Sequence, residues 1–198
     1  MSQSLSLAPT PTMTAKRLKI AGYLAMASSL LTLPWFLFME FIANRSAPSI
    51  KAAEASMQVG GLALFIYLLL TFQQFLNSRY AFHHADKTIS LLIQANIILA
   101  AADLLGLAVP ELAGAVRMFT IVMLVILGIL HMMFGTWLLL LPASLGGMHR
   151  PYCYINIVTG FSLATVVMLP LGMVTSCIAD VMLGTIFLQA VSARPPAG

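Results

Sequence analysis

Charge is what this chain has least of. Ten Lys and Arg with six Asp and Glu amount to 8% of 198 residues, against about 25% in an ordinary soluble domain. Hydrophobic residues make up 60%. A water-soluble fold of this length cannot hide so much apolar surface, because small domains keep a large exposed fraction; lipid must cover it. Cysteine is nearly absent too. Cys153 and Cys177 are the only two, so there is no disulfide framework, and the topology derived below puts them near opposite membrane faces, against their pairing. No basic run interleaves with aromatics, which argues against a nucleic-acid surface. Enzyme signatures are missing as well: no nucleophile elbow, no zincin-type His-Glu-x-x-His, no Walker loop and no dinucleotide fingerprint. Asp103 and Asp180 meet the count of an intramembrane aspartyl protease, but the residues around them match no such motif. No catalytic residue is assigned, and the chain is read as non-enzymatic.

What the chain has is long apolar runs. The longest, Met118–Leu141, holds 24 residues without Asp, Glu, Lys or Arg, enough to cross a hydrocarbon core of about 30 Å at about 1.5 Å per residue. Near its middle stands His131, with Gly128 and Gly135 within roughly 100° of the same helical face. The histidine therefore projects from a strip almost bare of side chains. Either another helix packs there, or something small binds there.

The remaining runs complete an all-α, polytopic transmembrane bundle with short loops and no soluble domain. Residues 1–15, rich in Ser, Thr and Pro, read as a disordered tail. The transmembrane domain covers 16–192, and a Pro-containing tail follows at 193–198. Ala25–Met26–Ala27 has the form of a signal-peptide cleavage site, but it falls too early and the apolar run continues to Ile42, so the first helix is read as uncleaved. Helix one is expected over 18–42, with a kink at Pro34, Trp35 near an interface, and Glu40 paired with Arg45 or Arg117. Ala21, Ala25 and Ser29 recur every four residues along it, a small stripe on which a neighbour can approach closely. Helix two is expected over 57–77, helix three over 88–109 ending at Pro110, and helix four over 118–141. The region 152–191 would be about 60 Å long as one helix, too long for one span. Pro170, Leu171 and Gly172 supply breaker chemistry near its middle, which divides it into helix five over 153–169 and helix six over 174–191.

Six spans with the N-terminus inside put Lys16, Arg17, Lys19, Arg79, Lys87, Arg150 and Arg194 inside, and Arg45, Lys51 and Arg117 outside. That excess satisfies the positive-inside bias. Five spans would move only Arg194, so the count favours six slightly. The layout is that of small bacterial inner-membrane proteins, with the N-terminus cytoplasmic.

Three ionisable residues fall well inside the expected spans: Asp103, His131 and Asp180. A charge at the bilayer centre costs at least about 2.5–3.5 kcal/mol on insertion scales, so each is expected to face the bundle interior, neutral or partnered. Asn96, Ala100, Asp103 and Gly106 share one face of helix three; Ser176, Cys177, Asp180 and Gly184 share one face of helix six. Helix depth places the three ionisable groups in one layer about 10 Å thick. Asp103, His131, Asp180, Asn96 and Ser176 thus form the candidate intramembrane polar network.

No cofactor or metal is assigned. Bis-His haem ligation would need a second deep histidine, which the chain does not have, and the Met residues available to partner His131 (Met132, Met133, Met168) read as ordinary bilayer packing. His83–His84–Ala85–Asp86 resembles a fragment of a metal site, and His149 falls on the same side. No cysteine or second carboxylate completes a tetrahedral set, so the loop is read as a weakly basic surface beside lipid headgroups. Two functions fit. The first is a non-enzymatic inner-membrane protein acting through helix packing with lipids, a membrane-protein partner or a second copy. The second is a small transporter or proton-coupled channel whose path runs past the Asp/His network.

Overall fold

The computed structural model describes residues 14–42, 48–142, 145 and 147–192, with side chains placed for 14–32 and, apart from the backbone-only Pro48, in the later segments. The tails, the Pro34, Trp35 and Glu40 side chains and Arg45 lie outside these described residues. Among the described residues the regular structure is all-helical. The helices are α1 (Ala15–Ile42), α2 (Pro48–Tyr80), α3 (Asp86–Ala108), α4 (Ala113–Leu139), α5 (His149–Ala164) and α6 (Leu169–Ser192), with a 3-10 turn at Pro110–Leu112 before α4. Among the described residues four runs are long and apolar enough to cross a membrane: Ser49–Tyr80, Asp86–Ala108, Pro110–Leu139 and Leu169–Ser192. Large apolar side chains such as Ile98, Met118, Ile129, Phe161 and Val181 point outward. A helical bundle with such an exterior is suited to lipid.

α4 and α5 begin at Ala113 and His149, ahead of the expected 118 and 153, and two further boundary differences have identifiable reasons. α2 begins nine residues early, at Pro48. Proline is at home in a first helical turn, where its missing N–H has no intrahelical partner to lose, and Ala52, Ala53 and Ala55 carry the helix onward. The break between α5 and α6 falls at Thr165–Met168 rather than at Pro170–Gly172. Val166 there adopts φ +57°, a left-handed conformation that strains a β-branched residue. Pro170 sits instead in the first turn of α6. Gly172 lies inside α6, where an added Cβ would come within 3.3 Å of Ser162 and Leu163; its job is to let α5 approach.

The six helices form a ring. Each packs against its neighbours in the chain, and α1 closes the circle on α6. Small residues make the tightest contacts, as expected where lipid tails are as apolar as Leu and packing must supply the attraction. On α1, Ala21 and Ala25 are fully buried. A Cβ on Gly184 would meet Gly22 O at 2.8 Å, and Ser29 Oγ donates to Cys177 O at 2.9 Å. The α4–α5 contact is closer still. A Cβ on Gly128 would stand 2.5 Å from Gly160 O, and one on Gly135 2.7 Å from Cys153 O. The two glycines around His131 are thus filled by another helix.

The bulk that the small faces exclude gathers at the end of the bundle where α2, α4 and α6 finish. Phe72, fully buried, touches Tyr152, Phe187, Phe134 and Phe75 at ring-centroid distances of 5.7, 6.1, 6.2 and 6.4 Å. All but the Phe75 pair are edge-to-face, the arrangement favoured by the ring quadrupoles. At the same end Arg79 Nη1 donates to Ala190 O at 2.9 Å and His149 Nε2 donates to Leu138 O at 2.7 Å. Both add a donor to carbonyls in the last turns of their helices.

Gly160→Ala should destabilise the bundle by about 1–3 kcal/mol, because its Cβ meets the backbone of Gly128 and Met132 rather than a side chain that can swing away. Gly60→Ala has nothing within 4 Å and should be neutral or stabilising by up to about 1 kcal/mol. Unfolding in detergent compares the two; equal effects would refute the close-contact account.

Candidate functional site

Inside the ring, beside the aromatic cluster, lies a cavity of about 80 Å³. Every helix except α1 contributes to its wall: Leu68 from α2, Leu92 from α3, His131 and Phe134 from α4, Tyr152, Asn156 and Thr159 from α5, and Ser176 and Asp180 from α6. The space is below the range of about 300–1,000 Å³ that holds drug-sized ligands. It suits a few waters or a very small solute.

Local helix geometry fixes how each polar group is presented. His131 Nδ1 lies 2.9 Å from Leu127 O. A carbonyl only accepts, so Nδ1 carries a proton, and in the neutral form of the ring Nε2 offers a lone pair. Asn156 Nδ2 donates to Tyr152 O at 2.8 Å. Thr159 Oγ1 lies 2.8 Å from both Ile155 O and Thr175 Oγ1, so its one proton is used whichever it chooses. The Asp180 carboxylate lines the cavity, and among the described residues it receives no hydrogen bond.

The candidate network divides between two places. His131, Asp180 and Ser176 line the one cavity. Asp103 does not. It accepts hydrogen bonds from Thr120 Oγ1 at 3.0 Å and Gln58 Nε2 at 3.2 Å, joining α2, α3 and α4. Thr120 precedes His131 by eleven residues, about 16 Å along α4, so the Asp103 cluster forms a separate layer toward the opposite end from the aromatic rings. Asn96 Nδ2 turns to its own helix, donating to Leu92 O at 2.9 Å.

The polar loop is organised around Asp86. Its carboxylate accepts from Gln73 Nε2 at 2.9 Å and from Asn77 Nδ2 at 3.0 and 3.1 Å, and lies 3.0 Å from His83 Nδ1. The residue before it, Ala85, provides no side-chain cap for α3, and a carboxylate in the first turn complements the helix dipole instead. His84 stacks over Phe82, with Trp137 beyond it at 6.3 Å.

The residues that sequence reasoning passed over are Tyr152, Asn156 and Thr159. They recur at i, i+4 and i+7, the spacing of one helical face. That pattern in an otherwise apolar helix was the available signal. Gln58 and Thr120 were not foreseen as partners of Asp103 because hydrogen-bond pairing across helices leaves no trace in spacing.

Compared with protein-family models, curated proteins and solved structures, the chain matches none.

Asp86→Ala removes the acceptor of two side-chain amides and should lower stability by about 2–4 kcal/mol, since Gln73 and Asn77 are left without their partner. Asp103→Asn keeps an acceptor oxygen and should cost less than about 1 kcal/mol. Thermal melts of both variants in one detergent test the order; the reverse order would overturn it.

Proposed function

We propose that the chain is a six-span membrane protein that acts as a small transporter or proton-coupled channel, with its path running along the ring axis past His131 and Asp180. The observation that carries this reading is the cavity, which gathers a histidine with a free lone pair and an unpartnered carboxylate at the centre of a helical ring. Groups of that kind at membrane depth mark ion paths and proton relays. Glue between helices would be expected to satisfy its polar atoms on neighbouring helices, as Asp103 does with Gln58 and Thr120. Asp180 has no such attachment.

The aromatic cluster gives the path a barrier. Phe134 and Tyr152 belong both to the cavity wall and to the rings around Phe72, so the axis is closed by apolar rings at that end. Passage requires them to part, as in hydrophobic gates. In this reading the protein is non-enzymatic and sits in a bacterial inner membrane. The N-terminus is cytoplasmic, as the Lys16–Arg17–Lys19 cluster favours, and the Phe72 gate faces the cytoplasm. The short connections between successive helices, five residues from Ala81 to Ala85 for α2 and α3, support antiparallel neighbours and hence six crossings. With 16 residues and about 24 Å, α5 is the shortest crossing.

Action through a packed partner or a second copy is the competing reading. It is favoured by Gly60 and Gly61 on α2, which have open space where a Cβ would stand and could admit another helix.

Liposome reconstitution tests the path. Wild-type protein should dissipate an imposed proton or cation gradient, Asp180→Asn should reduce the rate at least about tenfold, and Phe72→Ala should raise the leak in both directions. A wild-type protein that is folded and passes nothing removes the transport reading; a stable co-purifying membrane protein would then establish the other.

A further inference from the structure

We infer that the axial cavity is a binding site for a compact monovalent cation bearing N–H donors, of which ammonium is the simplest. The inference names the solute of the path proposed above and rests on that reading for its transport role, while the binding site itself stands on the hydrogen-bond geometry.

The cavity wall holds more hydrogen-bond acceptors than donors. Nδ1 of His131 is committed to Leu127 O, so the ring faces the cavity as an acceptor. The Thr159 proton is committed within the protein, and Asn156 has committed one N–H to Tyr152 O. The second Asn156 N–H is shared with the Tyr152 side chain, so what remains for an occupant are both oxygens of the ionised Asp180, Nε2 of the neutral His131 and Oδ1 of Asn156, against the hydroxyls of Ser176 and Tyr152. Acceptors are in excess. The occupant that satisfies them must donate, as water or a cation with N–H groups does, and the charge of Asp180 distinguishes the two.

Charge points the same way. Asp180 is the one carboxylate among the lining residues, and no Lys or Arg stands beside it. A carboxylate within a bundle in lipid calls for a counter-charge. The rings of Phe65, Phe134 and Tyr152 line the same space, and aromatic side chains attract a cation that reaches their faces. The charge is a single one. Among the described residues no group of three or more His, Cys, Asp or Glu side chains converges as a metal site, and two strong ligands are too few for a divalent ion. Size then selects the smallest ammonium, because about 80 Å³ admits an ion of water-like dimensions with its companion waters and excludes a bulky organic cation.

The test is a thermal melt of the purified full-length protein in detergent, with ammonium, sodium, potassium or tetramethylammonium chloride at one ionic strength. Ammonium should raise the midpoint saturably, by about 5 °C at a hundred times its dissociation constant. Sodium and tetramethylammonium should not, potassium should act more weakly because it donates no hydrogen bond, and Asp180→Asn should abolish the ammonium effect. If the four salts act alike, if potassium matches ammonium, or if Asp180→Asn responds as wild type does, the site is hydrated or internally paired and the proposal fails. The salt comparison on wild-type protein decides the matter even if the variant does not fold. Ammonium binding without flux in liposomes would keep this site and remove the transport reading. Flux with no ammonium effect would do the reverse.

Discussion

The contact on which this bundle depends is backbone against backbone, where Gly128 of α4 meets Gly160 of α5. A bilayer offers no hydrophobic drive to bring helices together, so attraction must come from close packing and polar contacts. Glycine is what allows it: an added Cβ at either position would lie inside the partner's backbone. With α4 and α5 held this closely, the rest of the ring follows. The same device joins α1 to α6 through Gly22 and Gly184, and the two tight seams turn a row of six helices into a closed circle.

A ring pinched at its seams cannot be filled evenly. Large side chains collect where helices diverge, and Phe72 with its four aromatic neighbours occupies one end. Between that plug and the Asp103 layer, His131 projects from between the two glycines that α5 has covered. The alternatives posed by the strip Gly128–His131–Gly135, a packed helix or a small ligand site, are therefore not exclusive. The glycines serve the helix, and the histidine, pushed past them, faces the cavity. The arrangement that stabilises the fold is also the one that leaves a polar void.

Much of this was legible in the residues. The lack of charge and the long apolar runs announced a helical membrane-type bundle, and the Ala21–Ala25–Ser29 stripe marked a close interface, which α6 fills. Helix limits were harder, because Pro170 could end one helix or begin the next and only the backbone at Val166 decides between them. The site was legible in part. Depth along a helix is linear in sequence, and it placed Asp103, His131 and Asp180 in one layer; His131 and Asp180 do share the cavity, whereas Asp103 pairs with Thr120, about 16 Å along α4 from His131. Which carboxylate turns toward the axis depends on rotation about each helix and on partners elsewhere. For Asp103 those partners are Gln58, 45 residues before it, and Thr120, 17 residues after it. Nothing in the local pattern around Asp103 encodes them.

The contrast between the two aspartates carries the functional argument furthest. Both sit on apolar helices beside small residues, and composition alone would give them the same role. Asp103 accepts from neutral donors on two neighbouring helices, which is how a carboxylate ties a bundle together. Asp180 faces a space whose other walls also accept. Replacing a buried charged group by an apolar one of similar volume is often neutral or stabilising, so packing alone gives no reason to keep an unattached carboxylate at the axis of a ring. A bound counter-ion supplies that reason. It completes the hydrogen bonds of His131 and Asn156 and the charge of Asp180 together, and its departure past the Phe72 rings would leave all three unsatisfied. The same deficit that recruits a cation favours the arrival of the next one, and conduction further requires a hold weak enough to release it.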